Sequence, residues 1–267
     1  GDERYLSRIL LGVVTQFPED ADVTCMLQVA VSIIGLEAKP NETAEESAIK
    51  IIAKLPMVLF QINRRYSQKC FLDYDSLYAK DLYLDLVSQE PSPIECDAFE
   101  ASLILYMDNE FNASTFATRV SASTMTDIYS GISAGIGALK GPLHGGANQE
   151  VAKILQKLTT PEEARLWVQH MLAKHKKIMG FGHRVYAEDP RSVVLKTYCE
   201  KLAFQNQHLY DIACAIEEEI KIQKPAICPN VDFHVALLYL LLRIPPRFYV
   251  PIFVCSRVVG WCAHFME

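Results

Sequence analysis

The chain has 267 residues, half of them hydrophobic, which suffices for one large or two modest domains around a substantial core. Its formal net charge of −6, with no run of more than two consecutive Lys or Arg, argues against a nucleic-acid-binding surface or an anionic-membrane anchor and leaves small molecules or other subunits as partners. Eight cysteines without a single C-x-x-C pair write neither a zinc ribbon nor a dithiol redox motif, so a reducing compartment is expected.

In chain order, apolar residues recur at three and four positions rather than alternating, which predicts helices almost throughout and an all-α architecture. The chain opens abruptly at Gly1 with no visible targeting peptide, so the expected location is intracellular, the cytoplasm ahead of the mitochondrial matrix. Apolar stripes predict helices over residues 20–35, 43–64 and 96–107. Thr160 and Glu163 flank Pro161 in the pattern of a capping box, and Ala164, Trp167, Val168, Met171 and Leu172 follow as one stripe ending near Lys176 or Lys177. Another helix is expected over 192–204. The run 249–266 approaches membrane length, yet Pro251, Ser256, Arg257 and His264 would be costly in lipid, so it reads as a buried helix. No internal repeat or low-complexity linker appears, so two domains would be joined by short hinges.

Three segments break this rhythm by combining glycine, proline and histidine: 141–148 (GPLHGGAN), 179–191 (MGFGHRVYAEDPR) and 228–234 (CPNVDFH). A fourth, 108–119 (DNEFNASTFATR), mixes polar with aromatic residues. Neither glycine-rich piece is a phosphate loop. No G-K-[ST] ending is present, and Val185 stands where a dinucleotide fingerprint places its third glycine. His144, His183 and Asp232 form a set suited to carbon–carbon bond formation beside a carbonyl: a carboxylate to take a weakly acidic proton, and two donors for developing oxyanions. Each loop alone also admits a structural reading, since histidine beside glycine caps helix ends and Pro-Asn-x-Asp makes turns. Two histidines and an aspartate separated by 39 and 49 residues carry no metal-ligand spacing, so no metal is expected.

At these same residues the sequence resembles the citrate synthase family, in its bacterial-type and 2-methylcitrate synthase branch. The resemblance runs from EFNAST through DIYSGISAGIGALKGPLHGGANQEV, IMGFGHRVY, DPRS and PNVDFH to SRVVGWCAHFME at the end. It implies a helical fold whose active site lies in an interdomain cleft, with a large domain of 1–144 and 236–267 and a small one of 145–235. It implies acyltransfer from an acyl-CoA, acetyl-CoA or a longer one, to oxaloacetate, with Asp232 as base, His144 on the thioester oxygen and His183 on the ketone. Arg191 and Arg257 would hold the oxaloacetate carboxylates. The backbone of Ile178, Met179, Gly180, Phe181 and Gly182 would line the site of coenzyme A, a substrate rather than a tightly bound cofactor.

The resemblance further implies a homodimer and segments beyond Gly1 and Glu267, the latter bringing another arginine across the dimer interface. Asn109 stands where the family places a histidine on oxaloacetate, Tyr106 replaces a second histidine, and Ala187 lies in a loop one residue shorter than usual. These departures leave a catalytically weakened or inactive binding subunit as the competing class.

Overall fold

The computed structural model describes residues 2–65 and 78–267; Gly1 and Cys70 of the sequence lie outside them. Among the described residues there are thirteen α-helices and no β-strand. They are α1 (Arg8–Gln16), α2 (Val23–Leu36), α3 (Ala44–Arg64), α4 (Tyr78–Val87), α5 (Pro93–Met107), α6 (Ala113–Ala122), α7 (Ile128–Leu139), α8 (Ala147–Lys157), α9 (Pro161–Ala173), α10 (Pro190–Leu202), α11 (Gln207–Gln223), α12 (Val231–Leu241) and α13 (Tyr249–Met266).

The helix starts follow from their side chains. Thr43 closes a reciprocal capping box with Glu46 at α3, and Asn112 and Asp127 accept backbone N–H groups at the starts of α6 and α7. Prolines at the first turns of α5, α9 and α10 remove N–H groups that would have lacked partners there. At α9 the expected box is only half formed. Glu163 N–H donates to Thr160 Oγ1 at 3.1 Å, but the Glu163 carboxylate takes the amide and hydroxyl of Thr159 instead. The helix also stops earlier than its lysines suggest: Lys174 is the C-cap and His175 takes a left-handed φ of 52°.

The run read as near membrane length is α13, long and apolar enough to span a bilayer, yet 78% of its most apolar window lies inside the molecule. It packs against α2, α3, α5, α6 and α7. Gly260 permits this, because a Cβ there would meet the Met107 carbonyl oxygen at 2.4 Å. A second set of helices packs among itself, α9 against α11 and α12 against α8 and α10. The two sets meet where α10 and α12 touch α5 and α8 touches α13, and the cleft described next opens there.

Candidate active site

A cleft of about 930 Å³ is lined by residues from all four glycine-, proline- or polar-rich segments. His144, His183, Asp232, Arg191, Arg257 and Asn109 all face it, as do Met179, Gly180, Phe181 and Gly182. Ile178 does not. Its side chain joins the hydrophobic core, while Lys177 before it and Met179 after it line the cleft.

Asp232 sits in the first turn of α12, where its own N–H is capped by Asn230 Oδ1 at 3.0 Å. The only side-chain donor to its carboxylate among the described residues is the Tyr106 hydroxyl, at 3.1 Å. Burial pushes the carboxyl up to about 6, against the pull of Arg191, the Tyr106 bond and Arg257. Asp232 is therefore an anion at neutral pH that holds a proton more readily than an ordinary carboxylate.

His144 precedes α8, and its Nε2 faces the start of α6, where the Ser114 N–H donates to it at 3.3 Å and Ser114 Oγ lies at 2.8 Å. The backbone N–H can only donate, so Nε2 is the acceptor and Nδ1 carries the hydrogen. Burial, with Arg257 and Arg191 nearby, lowers this histidine to about 4. It is a neutral donor at physiological pH.

His183 is fixed in the same sense. The backbone N–H groups of Val185 and Tyr186 donate to its Nδ1 at 3.1 and 3.0 Å, which leaves the hydrogen on Nε2, and its ring stacks on Tyr186. Burial shifts it below the usual histidine value, Arg191 adds to this and Asp189 opposes it.

Two guanidinium groups make the cleft cationic. Arg191 is clamped by Asp189, its Nε and Nη2 donating to the two carboxylate oxygens at 3.0 and 2.8 Å. Arg257 is buried in α13 with Nε donating to the Tyr106 carbonyl at 2.6 Å and Nη1 lacking a partner among the described residues. Burial and the neighbouring Arg191 charge push Arg257 down to about 10. A buried guanidinium hydrogen without a partner is costly, and an anion in the cleft would satisfy it. Asn109 faces the same space, and its side chain makes no hydrogen bond among the described residues.

The wall formed by 179–182 is held by pairing with 228–230. Gly182 N–H donates to the Cys228 carbonyl at 2.8 Å and Asn230 N–H to the Gly180 carbonyl at 2.9 Å. Gly180 has φ 83°, and a Cβ there would meet Phe233 and Val151. Among the described residues no group of three or more His, Cys, Asp or Glu could hold a metal ion.

The arrangement puts a buried carboxylate, two neutral imidazole donors of fixed tautomer and two cations in one cleft. Comparison with known proteins identifies the family. The family model described as citrate synthase, C-terminal domain, matches residues 1–267. The chain belongs to the citrate synthase family. It is 40% identical over 259 residues to citrate synthase 2 of Bacillus subtilis, covering 93% of this chain and 69% of that protein. It is 37% identical over 273 residues to 2-methylcitrate synthase of Shewanella oneidensis, covering 99% and 72% respectively. Among solved structures, citrate synthase of Thermotoga maritima superposes with a TM-score of 0.89 at 34% identity, over 100% of this chain and 73% of that one. The Thermoplasma acidophilum citrate synthase, solved as a ternary complex with carboxymethyl coenzyme A and oxaloacetate, also gives 0.89, at 32% identity over 99% and 74%.

Of the residues assigned a catalytic, substrate or coenzyme A role from the sequence, the cleft lining includes all but Ile178. Ser114, Asp189 and Asn148 were not singled out, yet they hold His144, Arg191 and Tyr106. Asp189 alone had a sequence signal, an aspartate directly before the proline that opens a helix.

Proposed function

We propose that this cleft condenses an acyl-CoA with oxaloacetate, with Asp232 as base, His144 and His183 as hydrogen-bond donors, and Arg191 and Arg257 on the acceptor's carboxylates. The observation that carries the reading is the division of labour between Asp232 and His144. One carboxyl is raised to about 6 beside an imidazole lowered to about 4, so both are in the required form at pH 7: an anion to accept a proton and a neutral donor.

Asp232 takes a proton from the carbon next to the thioester carbonyl, and Nδ1–H of His144 stabilises the enolate oxygen that develops. That carbon attacks the oxaloacetate ketone, whose developing alkoxide is held by a hydrogen bond from Nε2–H of His183, and the proton released from the carbon to Asp232 balances the one that the product hydroxyl takes up. Water then cleaves the thioester, giving the tricarboxylic acid and the thiol of coenzyme A. The two guanidinium groups match the two carboxylates of the acceptor, and the backbone of Met179, Gly180, Phe181 and Gly182 offers a close approach for coenzyme A, bound as a substrate.

We assign a large domain to 1–144 with 236–267 and a small domain to 145–235, a boundary that falls inside α12, and the two close on the substrates. The functional unit in this reading is a homodimer. Its support is an apolar face left open at α6 and just beyond it, where Phe116 is 62% and Met125 92% exposed. The seven described cysteines are all free, which suits a reducing, intracellular setting.

The test is thiol release from acetyl-CoA, propionyl-CoA and longer acyl-CoAs mixed with oxaloacetate. Release with one or more is expected, with an acid limb in the rate near pH 6 as Asp232 protonates. No release with any of them would overturn the assignment and leave a binding subunit as the better reading.

A further inference from the structure

The Tyr106 hydroxyl lies between two side chains from the other helix set. It is 3.1 Å from Asp232 Oδ1 and 3.2 Å from Asn148 Nδ2. The direction of these bonds follows from chemistry alone. An ionised carboxylate has no hydrogen to give, so the Tyr106 O–H must donate to Asp232; its oxygen is then free to accept, so Asn148 must present its NH₂. That orientation leaves the buried Asn148 Oδ1 without a partner among the described residues. An unsatisfied buried carbonyl is a cost that the opposite amide orientation could redistribute only by taking the hydroxyl hydrogen away from Asp232.

We propose that Asn148 and Tyr106 are positioning residues for the base, a directed chain of hydrogen bonds from amide to phenol to carboxylate that engages one oxygen of Asp232 and leaves the other to take the substrate proton. The inference rests on the reading of Asp232 as the base. The chain is stiff. Tyr106 and Asn148 are fully buried, and the Tyr106 ring lies face to face with Phe253 at 3.7 Å between centroids. Tyr106 also accepts the Arg257 Nε–H through its backbone carbonyl, so one residue of α5 fixes both the base and a cation of the cleft. The other charged groups facing Asp232 are Arg191 and Asp189 at the start of α10 and Arg257 of α13, and none of these donates a hydrogen bond to its carboxylate.

Tyr106→Phe keeps the ring and its stacking and removes only the donor. Without that donor the Asp232 proton is held more tightly, so the acid limb of kcat should move to higher pH by about one unit, the equivalent of one hydrogen bond to a charged group. The KM values for acyl-CoA and oxaloacetate should change little. Asn148→Leu removes the first donor and should move the limb in the same direction by less, which keeps the inference testable if the tyrosine variant fails to fold. A limb that stays in place in the soluble variants, whatever happens to the rate, would overturn the inference and make Tyr106 a packing residue. Asp232→Asn measured alongside separates the two claims: if it remains active the base itself is misassigned, whereas an inactive Asp232→Asn with an unmoved limb in Tyr106→Phe refutes only the positioning chain.

Discussion

The first turns of α10 and α12 touch one another and are built on similar lines, yet their aspartates end in opposite states. Asp189 caps α10 and collects four donors: Nε and Nη2 of Arg191, the Arg191 N–H and the Val231 N–H. Burial alone would raise its carboxyl, but the bonds from Arg191 and Val231 outweigh that and hold it below the ordinary range. Asp232, in the neighbouring first turn, faces the same Arg191 charge but receives one side-chain hydrogen bond, and burial prevails. Nearness to a helix N-terminus or to an arginine therefore does not decide which carboxylate holds its proton more readily. The number of donors that reach it does.

This contrast can be broken in several ways. The largest expected effect is on rate: Asp232→Asn should lower kcat by roughly 10² to 10⁴, the usual cost of removing a general base, with the fold retained. Thiol-release kinetics would measure it. Equal loss in a well-folded Asp189→Asn protein would show that the two carboxylates are not functionally distinct.

Next in size is stability at Asp189. Replacing it by Asn strands the Arg191 guanidinium in a largely buried setting, and a loss of about 3–5 kcal/mol is expected in urea unfolding at pH 7. Because its folded carboxyl is held low, that stabilisation exists above the ordinary carboxylate range and fades as pH falls through the folded value. A midpoint unchanged by the substitution at pH 7 would remove the structural half of the comparison.

Asp232→Asn should do the reverse to stability. A folded value of about 6 lies above the unfolded one, so ionised Asp232 costs stability fully above pH 6 and not at all below about pH 4. The substitution should raise stability by on the order of 1–3 kcal/mol at pH 8 and leave it unchanged near pH 4. Thermal unfolding at the two pH values checks this, and a destabilised variant at pH 8 contradicts it.

The smallest effect concerns Asn109, a neutral amide in an otherwise cationic cleft. A hydrogen bond to a charged group is worth roughly 1–2 kcal/mol more than a neutral one, so Asn109→His should lower the oxaloacetate KM about five- to thirtyfold and leave acyl-CoA saturation little changed. An unchanged or higher KM would mean that the site is built around the amide and that another keto acid is the better acceptor.

Six of the thirteen helices, α2, α3, α5, α9, α10 and α13, were legible in the sequence because their signals are local. Thr43 sits directly before the first turn it caps, and the stripe through Ala164 and Val168 faces inward as its period requires. The start of α6 was not, since Asn112 caps it from within a polar segment that breaks the apolar rhythm. The end of α9 was not, because three lysines suit a helix terminus wherever it falls within a turn. Within the site, the residue types of Asp232 and His144 were legible through their motifs, but their chemical states were not. Those depend on Ser114, 30 residues from His144, and on Tyr106, 126 residues from Asp232. Nothing local in the chain announces such contacts, which arise only when helices distant in sequence pack.

The two rungs that join Gly182 to Cys228 and Asn230 to Gly180 have a mechanical consequence. They tie the segment leading into His183 to the segment leading into Asp232, so the two cannot be displaced independently. Any swing of the α8–α12 group against α13 would carry Asp232 and His183 as passengers on one plate, while Arg257 stays on the other. The enzyme would then have one alignment to achieve at each turnover, that of plate against plate, and the amides of Gly182 and Asn230 should exchange with solvent hydrogen at matching rates.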